Sequence, residues 1–195
     1  MTKRLFDIIF SILGLIILLP VFIIVSILIK VDSSGPIFFL QERVGLHGKY
    51  FKIIKFRSMK VNQNDSLTVT LKNDKRITRV GRKLRKYKID EIPELINVLI
   101  GDMSFVGPRP DVPGYTDLLK GNERNILKLR PGITSSASIK YSNEEQLLLE
   151  QEDPIAYNND VIFPDKVKMN LNYYENNNIW IDIKIIFATV FTLFE

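Results

Sequence analysis

The residues best suited to chemistry are two adjacent carboxylates, Asp90 and Glu91. Nine basic residues lie just upstream of them, between Lys72 and Lys88, against the single acid Asp74. An ionised carboxylate can attack as a nucleophile or bind a hard cation such as Mg²⁺. Paired carboxylates beside so much positive charge indicate a site for a phosphorylated substrate that carries a metal ion.

The same two carboxylates also have a structural explanation. The stretch from Ile89 to Leu99 is expected to begin a helix with Pro93 in its first turn. Asp90 would then be the N-cap, and Glu91 would complement the helix dipole. That dipole and the nearby Arg85 would keep Asp90 ionised, and free N–H groups at the helix start would attract phosphate. From these residues alone, the structural and the catalytic explanations both stay open.

An arginine between two prolines follows, in the turn Gly107-Pro108-Arg109-Pro110. The two prolines restrict the backbone around Arg109. Its guanidinium could therefore hold a phosphate bidentately at little cost in conformational entropy. The stretch from the carboxylate pair to this turn is the centre of the predicted site.

A membrane segment precedes the predicted site, because Ile8 to Ile29 is 22 residues without a charge. As a straight helix it would measure about 33 Å, enough to cross a hydrocarbon core of about 30 Å. It is too long for a signal peptide, and no small-residue cleavage site follows it. Pro20 predicts a kink near its middle. A spanning helix and a re-entrant helix both fit, and basic residues on both flanks favour re-entrance.

The pattern between the membrane segment and the carboxylates predicts a small β-hairpin and a basic helix. Ile37 to Val44 and Tyr50 to Ser58 have the composition of strands, and the glycine-bounded turn Gly45-Leu46-His47-Gly48 joins them. Asn62 to Asn73 is expected to be a surface loop, and Arg79 to Tyr87 a short helix with a strongly basic face. The fold class predicted from these elements is α+β and mainly helical.

Amphipathic helices are expected in the C-terminal third. Tyr115 to Leu119 and Ile126 to Leu129 fit short helices, at a membrane interface or in the core. A capping box at residues 142–145 opens a helix through residue 149, and Pro164 suits the first turn of another. Ile179 to Phe194 is strongly apolar but carries two charges, so we expect a buried or interfacial helix.

Composition limits the size of the protein and its partners. The 195 residues suffice for one domain and are few for two, so we divide the chain into a membrane helix over residues 1–32 and a single domain over 33–195. The net charge of +5 favours polyanionic partners such as anionic lipid or nucleotide. No nucleic-acid partner is expected, because stacking aromatics do not accompany the basic residues. The absence of cysteine excludes disulfides and thiolate metal sites.

Several motifs in order carry a family resemblance that runs nearly from end to end. They are KRLFD at 3–7, GPIFFLQERVG at 35–45, KFRSM at 55–59, TRVGRKLRKYKIDEIPELINVLIGDMSFVGPRP at 78–110, RPGIT at 130–134 and WIDIKIIFAT at 180–189. With these motifs the chain resembles the small monotopic phosphoglycosyl transferases, the bacterial sugar transferases that start lipid-linked glycans.

The resemblance implies a re-entrant membrane helix and a Mg²⁺-dependent site on the cytoplasmic face of the bacterial inner membrane, surrounded by interfacial helices. It implies transfer of a phosphosugar from a UDP-sugar to polyprenol (undecaprenyl) phosphate, with release of UMP through a covalent aspartyl intermediate. Asp90 would be the nucleophile, and Glu91 would bind the metal together with Asp90. The implied substrate-binding residues are Lys55, Arg57, Arg85, Pro108, Arg109, Pro110, Arg130 and Thr134. The resemblance leaves open whether the chain forms a homodimer.

Three departures from the family pattern limit what the resemblance says about the sugar. Leu19-Pro20 stands where Ser-Pro is common, so Pro20 makes the helix break alone. Thr134-Ser135-Ser136-Ala137-Ser138 stands where Thr-Gly-x-Ala-Gln is frequent, and Asn170 stands where an Asp is frequent. These two departures leave sugar specificity and one possible site contact undefined, and the sequence does not identify the downstream glycan. From the residues alone, the alternative function is a non-enzymatic basic membrane scaffold that docks anionic lipid or a partner protein.

Overall fold

The computed structural model describes residues 2–60 and 76–192, so the loop predicted over Asn62 to Asn73 lies outside the described residues. The helices are α1 (Thr2–Ile17), α2 (Leu19–Asp32), α3 (Arg79–Lys86), α4 (Glu94–Ile100), α5 (Ser136–Lys140), α6 (Glu144–Leu149), α7 (Pro154–Tyr157), α8 (Phe163–Asn176) and α9 (Ile179–Thr192). The strands are β1 (Phe38–Val44), β2 (Tyr50–Phe56), β3 (Ser104–Val106) and β4 (Gly132–Thr134). The prediction of a mainly helical α+β fold is confirmed.

The N-terminal apolar segment is a bent helix pair. Helices α1 and α2 meet at Leu18 with a bend of 59°. Pro20 lies in the first turn of α2 and cannot donate a main-chain hydrogen bond one turn back, which breaks the helix as predicted. In the described part of the chain, no single helix is long and apolar enough to cross a membrane, but the bent pair together has the length and composition.

The predicted hairpin is confirmed, and it carries the first residue of the site. Strands β1 and β2 pair antiparallel across a 3₁₀ turn at Leu46–Gly48. Asn97 of α4 then fixes this hairpin to the helix. Its fully buried amide accepts from the Ile54 N–H at 2.9 Å and donates to the Lys52 carbonyl at 2.8 Å. This bridge brings Lys55, the next residue of β2, over the start of α4.

Among the described residues, four small apolar clusters rather than one large core join the elements. The first links α2, β2 and α3 through Val25, Ile29, Phe56 and Leu84. The second links β2, α4 and the residue before β3 through Ile53, Val98 and Met103. The third holds Val106, Tyr173 and Ile185, and the fourth holds Leu119, Ile126 and Val167. The first two clusters border the predicted site from both sides.

Charged and polar contacts tie the start of the chain to its end. Lys3 Nζ lies 2.5 Å from a carboxylate oxygen of the buried Asp182 and 3.2 Å from the Tyr173 hydroxyl. The Tyr173 hydroxyl also donates to Asp182. Arg4 donates to the carbonyls of Val98 and Leu99 at 2.5 and 2.8 Å. The first turn of α1 is therefore fixed both to α9 and to the carboxyl end of α4.

Three details of the C-terminal third differ from the sequence predictions. The two short helices expected before residue 130 are 3₁₀ segments, Thr116–Leu118 and Gly121–Lys128. Helix α6 forms, but the capping box is wrong, because Asn143 holds the N-cap position and makes no side-chain cap bond. The parallel pair of β3 and β4 was not predicted. The last helix was predicted over Ile179 to Phe194, and α9 confirms it over the described residues.

Candidate active site

The carboxylate pair lies in a 3₁₀ turn, Ile89–Glu91, between α3 and α4. The interpretation of Asp90 as an N-cap is wrong, because Pro93 occupies that position and Asp90 makes no cap bond. Proline suits a helix start through its fixed φ, so α4 begins after Pro93 and the pair stays outside the helix. Lys88 adopts a left-handed conformation with φ of 54°, which turns the chain out of α3 into this segment.

Glu91 brings together two of the predicted phosphate-binding residues. Its Oε1 accepts from Lys55 Nζ at 2.7 Å and from Arg109 Nη2 at 2.6 Å. Burial alone would raise the pKa of Glu91, but Arg109 and Lys55 outweigh it and hold that pKa well below the ordinary range. Glu91 in turn raises the pKa of Arg109 above its ordinary value. Glu91 is therefore ionised in the ligand-free chain and paired with two cations.

Asp90 has a different environment, although it is the adjacent residue. Its side chain is buried, and its Oδ1 has no hydrogen-bond partner among the described residues. Burial, and then the negative charge of Glu91, raises the pKa of Asp90, while Lys55 and Arg85 oppose this. Arg85 thus lowers the pKa of Asp90 as expected, but burial and Glu91 outweigh it, which the sequence did not indicate. Asp90 is therefore a desolvated carboxylate, and positive charge or hydrogen-bond donors on a ligand would stabilise its ionised form.

A third carboxylate, Glu94, belongs to the same site and was missed by sequence reasoning. It is 1% exposed, and its Oε1 lies 3.2 Å from Lys55 Nζ without a hydrogen bond. Burial raises its pKa to about 7, although Lys55 opposes this. The spacing of four residues from Asp90 places both on one side of a helical turn, which was the available signal. An acidic residue in the first turn of a helix is also common because it complements the helix dipole, so Glu94 did not stand out as a site residue.

Replacement of Glu94 by Gln is expected to flatten the pH dependence of stability. The pKa of Glu94 is raised from 4.5 to about 7 in the folded chain, so the protein loses stability as the pH rises through this interval. A shift of this size corresponds to on the order of 3 kcal/mol. E94Q should match the wild type at low pH and unfold at a higher temperature above neutral pH. Unfolding midpoints in detergent that fall in parallel for both proteins would contradict this.

The Pro-Arg-Pro turn is held in place by hydrogen bonds to its main-chain carbonyls on both sides. Gly107 and Gly132 approach so closely that a Cβ on Gly107 would lie 2.2 Å from the Arg130 carbonyl oxygen, so only glycine fits. The Pro108 carbonyl accepts from the Gly132 N–H at 2.9 Å. On the other side, Arg43 donates to the Pro110 carbonyl at 3.2 Å. Sequence reasoning missed Arg43, which fixes the turn that carries Arg109.

The other predicted site residues contact the main chain or other elements. Arg57 is 3% exposed and donates to the carbonyls of Ile29, Ser33 and Ser34 at the end of α2. Arg130 donates to the Gly101 carbonyl at 2.9 Å, at the far end of α4 from the carboxylates. Thr134 Oγ1 shares a hydrogen bond of 2.6 Å with Thr189 Oγ1 of α9. The structure thus brings Lys55, Arg85 and Arg109 near the carboxylates. Arg57, Arg130 and Thr134 instead make contacts elsewhere.

A divalent cation would find only part of a ligand set among the described carboxylates. Within residues 2–60 and 76–192, no three acidic or histidine side chains are grouped so as to hold a metal ion. Asp90 and Glu94 nevertheless each carry a buried oxygen without a hydrogen-bond partner in this part of the chain. Mg²⁺ is commonly held by one or two carboxylates, with phosphates and waters as the remaining ligands. The residues present fit a cation that arrives with a phosphorylated substrate.

Comparison with known proteins gives a match over the whole chain. The model of the family described as bacterial sugar transferase matches residues 1–195. A UDP-glucose:undecaprenyl-phosphate glucose-1-phosphate transferase of Klebsiella pneumoniae is 40% identical over 194 residues, which are 97% of this chain and 39% of that protein. A putative undecaprenyl-phosphate N-acetylgalactosaminyl 1-phosphate transferase of Bacillus subtilis is 45% identical over 136 residues, 64% of this chain and 76% of that protein.

A third relative is of similar length to the chain. The exopolysaccharide production protein PSS of Rhizobium leguminosarum is 38% identical over 198 residues, covering 96% of this chain and 92% of that protein. The chain spans about two fifths of the length of the Klebsiella relative.

Proposed function

Because the chain belongs to the bacterial sugar transferase family, we propose that it transfers a phosphosugar from a UDP-sugar to polyprenol phosphate and releases UMP. The observation that carries the proposal is the convergence of Lys55 and Arg109 on one oxygen of Glu91, beside the buried Asp90. Two cations around an anionic oxygen are a binding arrangement for phosphate. The product would serve an early membrane step in the assembly of a bacterial glycan.

The proposed chemistry has two displacements at the same phosphorus. A carboxylate oxygen of Asp90 attacks the sugar-bearing phosphorus, a new O–P bond forms, and the P–O bond to UMP breaks. A phosphate oxygen of polyprenol phosphate then attacks the aspartyl phosphosugar, and Asp90 leaves as a carboxylate. One site can thus serve a soluble donor and a lipid acceptor in turn.

The chain's own residues would support both displacements. Lys55 and Arg109 would bind the donor phosphates and stabilise the charge that develops on them. Asp90 and Glu91, with Glu94 beside them, would hold Mg²⁺, which when bound neutralises phosphate charge and polarises the phosphoryl oxygens. Burial of Asp90 strengthens its attack because few waters compete for the carboxylate.

The apolar surface supports the proposed membrane placement. The bent pair α1 and α2 exposes large apolar residues along both helices, namely Ile9, Phe10, Ile12, Leu13, Ile16, Ile17, Leu19, Ile23, Ile24, Ile27, Leu28 and Val31. Helix α9 exposes Trp180, Phe187 and Phe191 on one side at helical spacing. Exposure of so many apolar side chains to water is unfavourable, whereas a bilayer would cover them. We therefore propose a re-entrant α1–α2 pair, with α9 at the interface and the site on the cytoplasmic face of the inner membrane.

Trp180, the chain's single tryptophan, reports directly on this placement. Trp180 is 73% exposed in the isolated chain, so on the proposed placement it contacts lipid headgroups or upper acyl chains. In nanodiscs, lipids brominated near the headgroup should quench its fluorescence by about half or more relative to unbrominated lipids. Aqueous acrylamide should quench it weakly. Strong quenching by acrylamide with no effect of bromine would contradict an interfacial α9.

The function is tested by the first displacement alone. The protein, in detergent and without lipid acceptor, is incubated with Mg²⁺ and a UDP-sugar labelled in the sugar. The proposal predicts about one labelled sugar bound per protein and an equal amount of UMP. A non-enzymatic scaffold would give neither product, and would leave buried Asp90 and Glu94 as a stability cost without a use. Repeating the assay over a panel of UDP-sugars identifies the donor.

A further inference from the structure

We infer that Glu91 occupies, in the ligand-free chain, the place of a donor phosphate oxygen, and that its displacement couples nucleotide binding to divalent-cation binding. The inference rests on the proposed function and concerns how the same site fills. It follows from the contacts of three side chains, Lys55, Glu91 and Arg109.

One oxygen of Glu91 satisfies both phosphate-binding cations at once. Oε1 lies 2.7 Å from Lys55 Nζ and 2.6 Å from Arg109 Nη2. Within residues 2–60 and 76–192, Glu91 provides the hydrogen bond that the Arg109 side chain donates. A phosphate oxygen bound by the same two donors would take the same position. Nucleotide and Glu91 therefore compete for one place.

The site is open enough for this exchange. The side chain of Arg109 is 45% exposed, whereas those of Lys55 and Glu91 are 17% and 15% exposed. A nucleotide can therefore first meet Arg109 from solvent and then displace Glu91 from both cations. In the ligand-free chain Lys55 also lies 3.2 Å from a second carboxylate oxygen, that of Glu94. Glu91 must therefore separate from both Lys55 and Arg109.

The exchange makes a cation and a nucleotide dependent on each other. A displaced Glu91 that found no new partner would leave a negative charge beside the incoming phosphates and the buried Asp90, which opposes binding. A divalent cation gives the released carboxylate a partner. Nucleotide binding without a cation should therefore be weak, and the cation should strengthen it. By linkage, the nucleotide strengthens cation binding by the same factor.

Glu91→Gln separates this coupling from ordinary metal ligation. Glutamine keeps the shape but loses the charge, so it competes poorly for Lys55 and Arg109. In the absence of a cation, E91Q should bind UDP about tenfold more tightly than the wild type. Mg²⁺ should strengthen UDP binding by about 10- to 100-fold in the wild type and by no more than about twofold in E91Q. If Glu91 were only a metal ligand, cation-free UDP binding would not change.

The experiment is titration calorimetry of the full chain in detergent with UDP, in EDTA and in Mg²⁺. Asp102→Asn is the matched control, because it also removes one negative charge but lies in the turn beyond the far end of α4. It should change cation-free UDP binding less than twofold. Glu91→Ala is a second variant that removes the competitor and should show the same gain. Thermal unfolding verifies that each variant is folded.

The outcomes distinguish the inference from the function on which it rests. Tighter cation-free binding in both Glu91 variants, with loss of the Mg²⁺ effect, supports the inference. Unchanged or weaker cation-free binding overturns it while the wild type still binds UDP with Mg²⁺, which leaves the proposed function standing. An equal gain in D102N also overturns it, because the effect would then be general electrostatics. Failure of the wild type to bind UDP in Mg²⁺ overturns the proposed function and the inference together.

Discussion

Replacement of Asp90 by Asn is expected to abolish both sugar labelling of the protein and UMP release. Asparagine retains the shape of Asp90 but offers no carboxylate to attack phosphorus. Loss of a nucleophile of this kind commonly lowers turnover by about 10⁴-fold or more. Stopped reactions with labelled UDP-sugar, in detergent with and without polyprenol phosphate, measure both products. Turnover by D90N comparable with that of the wild type would exclude Asp90 as the nucleophile.

The same replacement should leave the fold intact or more stable. Burial raises the pKa of Asp90, so its ionised form destabilises the folded chain near neutral pH. Asparagine removes that charge, and the unfolding midpoint of D90N should be equal to or above that of the wild type. D102N controls for loss of a carboxylate elsewhere and should retain activity. A lower unfolding midpoint for D90N would instead mean that reduced stability could account for the lost activity.

Replacement of Arg57 by Met is expected to cause the largest loss of stability among these variants. Arg57 is 3% exposed and donates to the carbonyls of Ile29, Ser33 and Ser34, where α2 ends. Methionine fills most of the volume but leaves the Ser33 and Ser34 carbonyls without the Arg57 donor, while the Ile29 carbonyl keeps the Ser33 N–H. The cost should be about 3 kcal/mol, or roughly 6–12 °C in the unfolding midpoint for a chain of this size.

Kinetics then test whether Arg57 also binds substrate, as the family resemblance implies. At a temperature where R57M is folded, a structural role predicts a KM for UDP-sugar within about twofold of the wild type. Arg57→Lys should recover part of the stability, because it restores the charge but fewer hydrogen bonds. A KM raised more than tenfold, with an unchanged unfolding midpoint, would show that Arg57 acts on the substrate instead.

The sequence predicted the elements whose signals are local. The hairpin follows from two strand-like runs around a glycine-bounded turn, and the bend in the membrane segment follows from Pro20. The parallel pair β3–β4 could not be predicted, because each strand has three residues and their partner lies far along the chain. Its formation depends on the close approach of Gly107 and Gly132, which only the folded chain shows.

The site was predictable in its residue types but not in the partners of each residue. Lys55 and Arg57 are two positions apart on one segment and both carry a positive charge, yet Lys55 contacts Glu91 and Arg57 donates to the carbonyls at the end of α2. The difference depends on the packing of α2 against β2, which no local pattern reveals. Glu91 and Arg109 were each assigned to the ligand, and their direct contact in the ligand-free chain was not foreseen.

The contact of Arg4 with the carboxyl end of α4 lets the length of that helix set the distance between the bent pair and the carboxylates. Arg4 belongs to the first turn of the bent pair, and Asp90 precedes the opposite end of α4. Seven residues give a reach of about 10 Å. Insertion of one residue would lengthen it by about 1.5 Å and rotate the carboxylates by about 100°. This stretch should therefore tolerate substitutions on its exposed side far better than any change in its length.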